Sequence, residues 1–183
     1  YWSIVLAALP FAAILVWTYG QRALYRAMRP LDLPTYLMSY EQIYAKERIS
    51  GTALFFIKEL NVIPPYLVHC TIRSNILYER NVLISICRTE EPFGLDSSMR
   101  RGVGTGLDSL SIRAGYLEMF EIEHILKDLG INEKVVFYGI EDIATTNPVW
   151  KIFAMIKKIT PNFVQFYRIP TAKLQGVVTR VEI

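Results

Sequence analysis

Chemically reactive side chains are scarce in this sequence. Its 183 residues contain two cysteines and two histidines, which are Cys70, Cys87, His69 and His124. They form no C-x-x-C pair, and the adjacent His69 and Cys70 would point to different sides of a helix, so a zinc site is disfavoured. Two cysteines are too few for a disulfide framework. We therefore expect free thiols in a reducing compartment and no metal site.

Phosphate-binding and nucleophile motifs are also missing. The glycine-rich segment has Gly104 and Gly106 followed by Asp108 and Ser109, with no helix opening after them, so the dinucleotide fingerprint G-x-G-x-x-G fails. There is no Walker lysine and no G-x-S-x-G elbow. The sequence therefore predicts a mobile surface loop over residues 94–106, no catalytic residues and no enzyme activity.

Charge of one sign does not dominate. Twenty lysines and arginines oppose seventeen acidic residues, for a net charge of +3, without the dense basic stripe of a nucleic-acid binder. Nucleic acid is therefore not an expected partner. Lys151, Lys157 and Lys158 would share one side of a late helix, where they form either a solvated face or a surface that rests on anionic lipid.

The first twenty residues supply what the rest lacks, a long run without charge. Aromatic residues lie near both ends of the run, as in the interfacial belts of membrane helices, and Pro10 inside it implies neighbouring helices. Arginines follow at 22, 26 and 29, which places that side in the cytoplasm. A basic n-region and a cleavage site, the marks of a signal peptide, are absent. We expect a transmembrane helix over 1–20, with a buried core helix as the alternative.

The remaining chain alternates between strand and helix patterns. Residues 21–47 read as a juxtamembrane linker and helix, with a break at the prolines of "PLDLP". Residues 48–183 then form an α/β domain, which we expect to be a mixed β-sheet with helices packed on its faces, preceded by one transmembrane helix. Strands are predicted over 52–57, 81–88, 110–118, 133–140 and 176–183, and helices over 35–47, 64–75, 121–130 and 147–160.

Two of these helices carry clear end signals. Gly130 is a C-terminal cap candidate for the first, and Asn147 followed by Pro148 marks the start of the second. In the second helix, apolar residues at helical spacing predict a core-facing stripe of Val149, Ile152, Phe153, Ile156 and Ile159.

Several short motifs occur in a fixed order between Arg48 and Pro92. This order resembles the C-terminal cytoplasmic domain of the KUP/HAK/KT potassium uptake transporters. The motif positions are Arg48, Gly51, Thr52, Ala53, Ile63, Pro64, His69, Leu77, Glu79, Arg80, Thr89 and Glu90, followed by Ile169, Pro170 and a closing "RVEI". The segments "CTIRSN" and 94–106 depart from the family pattern.

The resemblance implies a function for the chain. It would be the last transmembrane helix and the cytoplasmic domain of a multi-pass transporter in the cell membrane. The whole protein would import potassium with protons through an ion path in earlier spans. The implied partners are the rest of the membrane domain and a second copy in a homodimer. No cofactor is expected.

The resemblance also implies a regulatory role, with cyclic di-adenylate or another nucleotide as the ligand. Arg73, Arg88, Arg100 and Arg101 are the anion contacts proposed on that basis. Two alternatives stay open, a purely structural assembly tail without a ligand and a membrane-anchored enzyme.

Overall fold

A computed structural model of the chain describes residues 2–160 and 173–183. A long helix leads into a six-stranded sheet that has helices on both faces. The positions Ile169 and Pro170, which contributed to the family pattern, lie outside the described residues.

The opening apolar run forms most of the first helix, α1 (Trp2–Met28), which is 27 residues long. Apolar side chains in its first half are exposed, among them Leu6, Leu9 and Phe11. Among residues 2–160 and 173–183, no helix has both the length and the apolarity needed to cross a membrane. The predicted span over 1–20 is therefore not confirmed.

The mixed sheet and its helices confirm the α/β prediction. The strands are β1 (Leu31–Asp32), β2 (Ile49–Ile57), β3 (Val62–Ile63), β4 (Tyr78–Thr89), β5 (Leu95–Gly104), β6 (Leu107–Gly115), β7 (Val135–Ala144) and β8 (Leu174–Glu182). The further helices are α2 (Leu33–Tyr44), α3 (Pro65–Val68), which continues as a π-helical turn (His69–Arg73), α4 (Ile122–Asp128) and α5 (Pro148–Ile159).

Strand order shows that the chain builds the sheet outward from β2. The six-stranded sheet has the order β5-β6-β4-β2-β7-β8, and β1 and β3 form a separate antiparallel pair. Within the sheet, β2, β4, β6, β7 and β8 run parallel, while β5 is antiparallel to β6. The chain first adds β4 and β6 on one side of β2 and later adds β7 and β8 on the other. This reversal beside β2 is a topological switch point.

The prediction of a loop over residues 94–106 is wrong, because the segment forms β5 and a tight turn into β6. β5 is an edge strand with exposed polar residues such as Asp96 and Ser98, so it lacks the apolar alternation that marks half-buried strands. Two of its glycines serve the hairpin geometry. Gly102 and Gly106 have φ of 70° and 65°, in the left-handed region that favours glycine.

One face of the sheet is covered by α2 through a ladder of three buried tyrosines, Tyr36, Tyr40 and Tyr44. Each hydroxyl forms a hydrogen bond with another part of the domain. The Tyr36 hydroxyl donates to the Thr71 hydroxyl at 3.1 Å, and the Tyr44 hydroxyl donates to the Glu79 carbonyl at 2.7 Å. The Tyr40 hydroxyl accepts a hydrogen bond from the Asn81 side-chain amide at 3.0 Å. The spacing of four residues puts all three rings on one side of the helix.

The other face is covered by α4, whose Ile122, Ile125 and Leu126 are buried. Gly130 ends this helix as predicted. Its φ is 64°, its amide donates to the Lys127 carbonyl, and the next amide donates to the Leu126 carbonyl. These contacts satisfy two carbonyls that the helix end would otherwise leave unpaired.

The start of α5 is also as predicted, since the Asn147 side chain accepts a hydrogen bond from the Val149 amide at 2.9 Å. The predicted core stripe is wrong, however, because within it Phe153 alone is fully buried, while Val149, Ile152 and Ile159 are exposed. The reason is that α5 meets its neighbours mainly through Phe153, which packs in a cluster with residues of α1 and β8.

Candidate functional site

A cleft lies where β2 ends, between its parallel neighbours β4 and β7, which continue beyond it. Phe56 and Ile57 close β2 there, Ile86 contributes from β4, and Tyr138 and Gly139 contribute from β7. In open sheets with parallel strands, ligands bind outside the carboxyl ends of the strands at a switch point. The cleft has a volume of about 720 Å³, within the range of small-molecule sites. Its position and its size both make it the candidate site.

Helix α1 forms the opposite wall of this cleft. Trp17, Gln21, Tyr25 and Met28 recur every three to four residues, so they share one side of the helix, and all four line the cleft. A ligand bound here would therefore touch both α1 and the sheet.

A close helix contact holds that wall in place. Phe153 of α5 is fully buried and lies in one cluster with Leu24 of α1 and Val181 of β8. Its ring centre is 5.7 Å from that of Trp17. A Cβ atom added at Gly20 would come within 2.3 Å of the Phe153 ring, which shows how near the α1 backbone lies. The glycine is thus required for this approach of α5 to α1.

A buried tyrosine, Tyr66, lies at the floor of the cleft. The Tyr66 hydroxyl donates a hydrogen bond to the Phe56 carbonyl, and burial raises the pKa of this tyrosine well above its ordinary value. Gly139 makes room for the Tyr66 ring, since a Cβ atom at Gly139 would lie 2.6 Å from it. The hydrogen bond and the close packing position the Tyr66 ring at the end of β2.

Charged groups stand at the rim. Lys157 and Glu141 form an ion pair at 3.0 Å, and each side chain is about one-third exposed or less. Lys58 and Glu59 follow β2 directly and are exposed. Aromatic walls with a few charges at the mouth suit a ligand that has a planar ring and an ionised group.

The four arginines predicted to contact anions do not line this cleft. Arg73 ends the π-helical turn and is exposed. Arg100 and Arg101 lie together on the edge strand β5. Arg88 is opposite Ala114 of β6 and Arg100 is opposite Ser109, so these two are separated by about 17 Å along the sheet.

Arg88 also has a structural role. It donates hydrogen bonds to the carbonyls of Gly115 and Glu118 at 2.7 and 2.8 Å and lies over the Phe120 ring. These contacts fix the segment that leaves β6. The prediction that the four arginines bind a nucleotide stays a prediction.

The reactive residues singled out from the sequence are spread over the domain. Cys70 is buried and Cys87 is exposed. His69 contacts Ser74 at 3.4 Å, and His124 pairs with Glu121 at 3.4 Å. In the described ranges, no three histidine, cysteine or acidic side chains are grouped so that they could hold a metal ion.

Sequence reasoning missed the cleft residues because they come from segments that are far apart in the chain. Trp17, Tyr66, Tyr138 and Lys157 belong to α1, α3, β7 and α5, and the strand order that unites them is not visible in the sequence. One signal was available. The charged pair Lys58 and Glu59 directly follows the apolar run of β2, at the strand end where α/β proteins bind ligands.

The fold and the cleft define a class, an α/β domain with a mixed sheet and a small-molecule-sized cleft at its switch point. Comparison with known proteins then gives the family. Residues 50–183 match the family model described as the K+ potassium transporter C-terminal domain. The chain belongs to this family, which confirms the resemblance to KUP-type transporters.

Full-length relatives support the same family. The chain is 70% identical over its whole length to the probable potassium transport system protein Kup of Pelobacter propionicus and 66% identical to that of Geotalea uraniireducens. Identity to the probable potassium transport system protein Kup of Methanosarcina acetivorans is 49%. The chain spans 30% of the length of each of these relatives. No solved structure matches it.

Proposed function

We propose that this chain is the regulatory C-terminal part of a potassium uptake transporter. The observation that carries the proposal is the cleft between α1 and the carboxyl end of β2, with β4 and β7 on either side. Relatives over the whole chain are named potassium transport proteins, which is a non-enzyme kind of function. Transport itself would belong to the part of the protein that this chain does not cover.

The proposed mechanism of regulation rests on which elements form the cleft. A ligand that contacts Trp17 and Tyr25 on one side and Tyr138 on the other binds more tightly when α1 and the sheet are correctly placed. Such differential affinity shifts the balance between two arrangements of α1 and the domain. If α1 continues into the transporting part, this shift reaches the ion path.

The membrane arrangement is part of the same proposal. Residues 1–20 would be the last transmembrane helix, residues 21–47 a juxtamembrane segment, and residues 48–183 a cytoplasmic domain of a multi-pass protein in the cell membrane. Exposed apolar side chains on the first half of α1, including Leu6, Leu9 and Ile14, support this placement because water is a poor environment for them. The whole protein would carry potassium with protons and would form a homodimer.

A nucleotide is the ligand class that we propose for regulation. The aromatic residues of the cleft would contact the base, and Lys58 at the rim would meet a phosphate. The exposed arginines Arg73, Arg88, Arg100 and Arg101 are the alternative contacts. Isothermal titration of the full-length protein with cyclic di-adenylate and with ATP tests this proposal, and flat heats with both would contradict it.

A matched pair of charge changes locates the site. Lys58→Glu reverses a charge at the rim of the cleft, and Lys46→Glu makes the same change at another exposed lysine, one that does not line the cleft. We expect the first variant to abolish the heat of nucleotide binding and the second to leave it unchanged. Equal effects of both would place the ligand elsewhere.

Potassium uptake tests the functional proposal directly. The full-length gene and a form truncated after Arg29 are expressed in cells that lack their own uptake systems, and rubidium accumulation is measured. We expect uptake by the full-length protein and unregulated uptake by the truncated form. Loss of the truncated protein from the membrane would favour a structural assembly tail instead. No uptake by well-expressed full-length protein would refute the transport proposal and would reopen the alternative of a membrane-anchored enzyme.

A further inference from the structure

A second cleft lies on another side of α1, where the end of this helix meets the end of β8. Its volume is about 580 Å³. Three arginines line this cleft. Arg26 belongs to α1, Arg29 directly follows α1, and Arg180 belongs to β8. Trp150 of α5 contributes an aromatic wall, and Glu182 contributes the acidic side chain of the lining. Three guanidinium groups and one carboxylate leave the cleft positively charged.

The three arginines are available to a ligand. Each is exposed, and within residues 2–160 and 173–183 none of the three side chains forms an ion pair or a hydrogen bond. Other charged side chains of the domain do have partners, such as Arg80, which binds Asp108 at 3.1 Å. Like charges gathered around one cleft repel each other, and an anion between them would relieve that repulsion.

The backbone at Arg29 is a second, independent observation. Its φ is 45°, in the left-handed region that favours glycine over residues with a side chain. Arg29 directly follows α1, where glycine is the common residue in this conformation. An arginine in place of the favoured glycine is explained if its side chain serves a purpose, and it lines the cleft beside Arg26 and Arg180.

We propose that this cleft, the arginine cleft, binds a phosphate group. Guanidinium groups match phosphate with paired hydrogen bonds, and three of them can neutralise its charge. The site joins residues from α1 with residues from the last strand, so a bound phosphate ties the end of α1 to β8. The group is either the head group of a phospholipid or a free phosphate compound. The proposal does not depend on the cleft at the switch point.

The test uses the full-length protein and two sources of phosphate. Inorganic phosphate is titrated calorimetrically into the protein in uncharged detergent. For the lipid, the protein is reconstituted in nanodiscs of phosphatidylcholine with phosphatidylglycerol, and the lipids retained after extraction are counted by native mass spectrometry. Arg180→Gln removes one guanidinium from an exposed strand position, and Arg113→Gln is the matched control, an exposed arginine on β6 that does not line the cleft.

We expect Arg180→Gln to weaken phosphate binding about tenfold, which is the loss in affinity expected when one charge-assisted hydrogen bond is removed. Arg113→Gln should have no effect. Arg29→Gly is a second test, since it removes the guanidinium and favours the observed backbone, so any loss of binding cannot come from misfolding of that turn.

The outcomes separate the sources. Arginine-dependent heat with inorganic phosphate supports a free phosphate compound. No such heat, but arginine-dependent retention of phosphatidylglycerol over phosphatidylcholine, supports a lipid head group. Neither signal, or equal losses with Arg113→Gln, overturns the proposal. Potassium uptake is not used as a readout, so this result stands whether or not the transport proposal holds.

Discussion

Substitution of Gly20 by alanine tests the contact on which both clefts depend. The added Cβ atom would lie 2.3 Å, 2.4 Å and 2.8 Å from three atoms of the Phe153 ring, closer than real Cβ atoms approach. The ring cannot simply turn away, because Phe153 is fully buried among residues of α1 and β8. Either α5 moves away from α1 or the local packing is strained.

Two opposing effects determine how much Gly20→Ala changes the free energy of unfolding. Overpacking in a filled core costs about 1–3 kcal/mol. Replacing glycine by alanine inside a helix stabilises it by about 1 kcal/mol. Gly20→Ala should therefore lower the free energy of unfolding by up to about 2 kcal/mol, and amide hydrogen exchange should rise in α5 before it rises in the central strands.

The assay combines urea unfolding with hydrogen exchange read by mass spectrometry. Thr18→Ala is the control, since it raises helix propensity on the same helix at an exposed position. Gly20→Ala combined with Phe153→Leu should lose less stability than the sum of the two single variants, because the smaller side chain accommodates the methyl group. If Gly20→Ala alone stabilises the protein as Thr18→Ala does, the helices are not in contact and both clefts are wrongly described.

Three further predictions concern the tyrosine face of the sheet. Asn81→Leu should lower the free energy of unfolding in urea by about 2–4 kcal/mol, because it leaves the buried Tyr40 hydroxyl and the Tyr78 amide without their partner. Tyr40→Phe removes a single hydrogen bond and should lower it by about 1 kcal/mol. Burial raises the pKa of Cys70 to about 11, so its thiol should not react with iodoacetamide at mildly alkaline pH while the protein is folded. Peptide mapping should find the exposed Cys87 labelled and Cys70 labelled only after denaturation, and equal labelling would contradict the burial of Cys70. Burial also raises the pKa of Tyr40, so the folded protein keeps this hydroxyl protonated at a pH where the unfolded chain ionises it. The free energy of unfolding should therefore be constant below about pH 10, where a free tyrosine begins to ionise, and should fall as the pH rises further. Urea midpoints that stay constant across that range would refute this.

Local patterns in the sequence were enough for most elements. The apolar runs of β2 and β4 predict buried strands, and in the structure the two strands pair in parallel with their apolar residues covered. The caps at Gly130 and Asn147 depend on a few neighbouring residues and are visible without the fold.

What the sequence did not reveal depends on long-range arrangement. β5 is polar because it is an edge strand, and its place at the edge is a property of the sheet. The exposure of Ile152 follows from α5 packing through Phe153 rather than through its whole apolar side. Both clefts combine residues that are far apart in the chain, such as Arg29 and Arg180, so no local sequence pattern predicts them.

The central position of β2 has a consequence for synthesis of the protein. β2 is the first strand of the large sheet to leave the ribosome, yet one of its two neighbours, β7, begins only at Val135. Until then one edge of the apolar segment Ala53–Ile57 has no strand to pair with, and an unpaired apolar edge is prone to aggregate. Pairing between strands so distant in sequence is also slow. A nascent chain of this protein therefore has to be shielded until most of the domain has emerged.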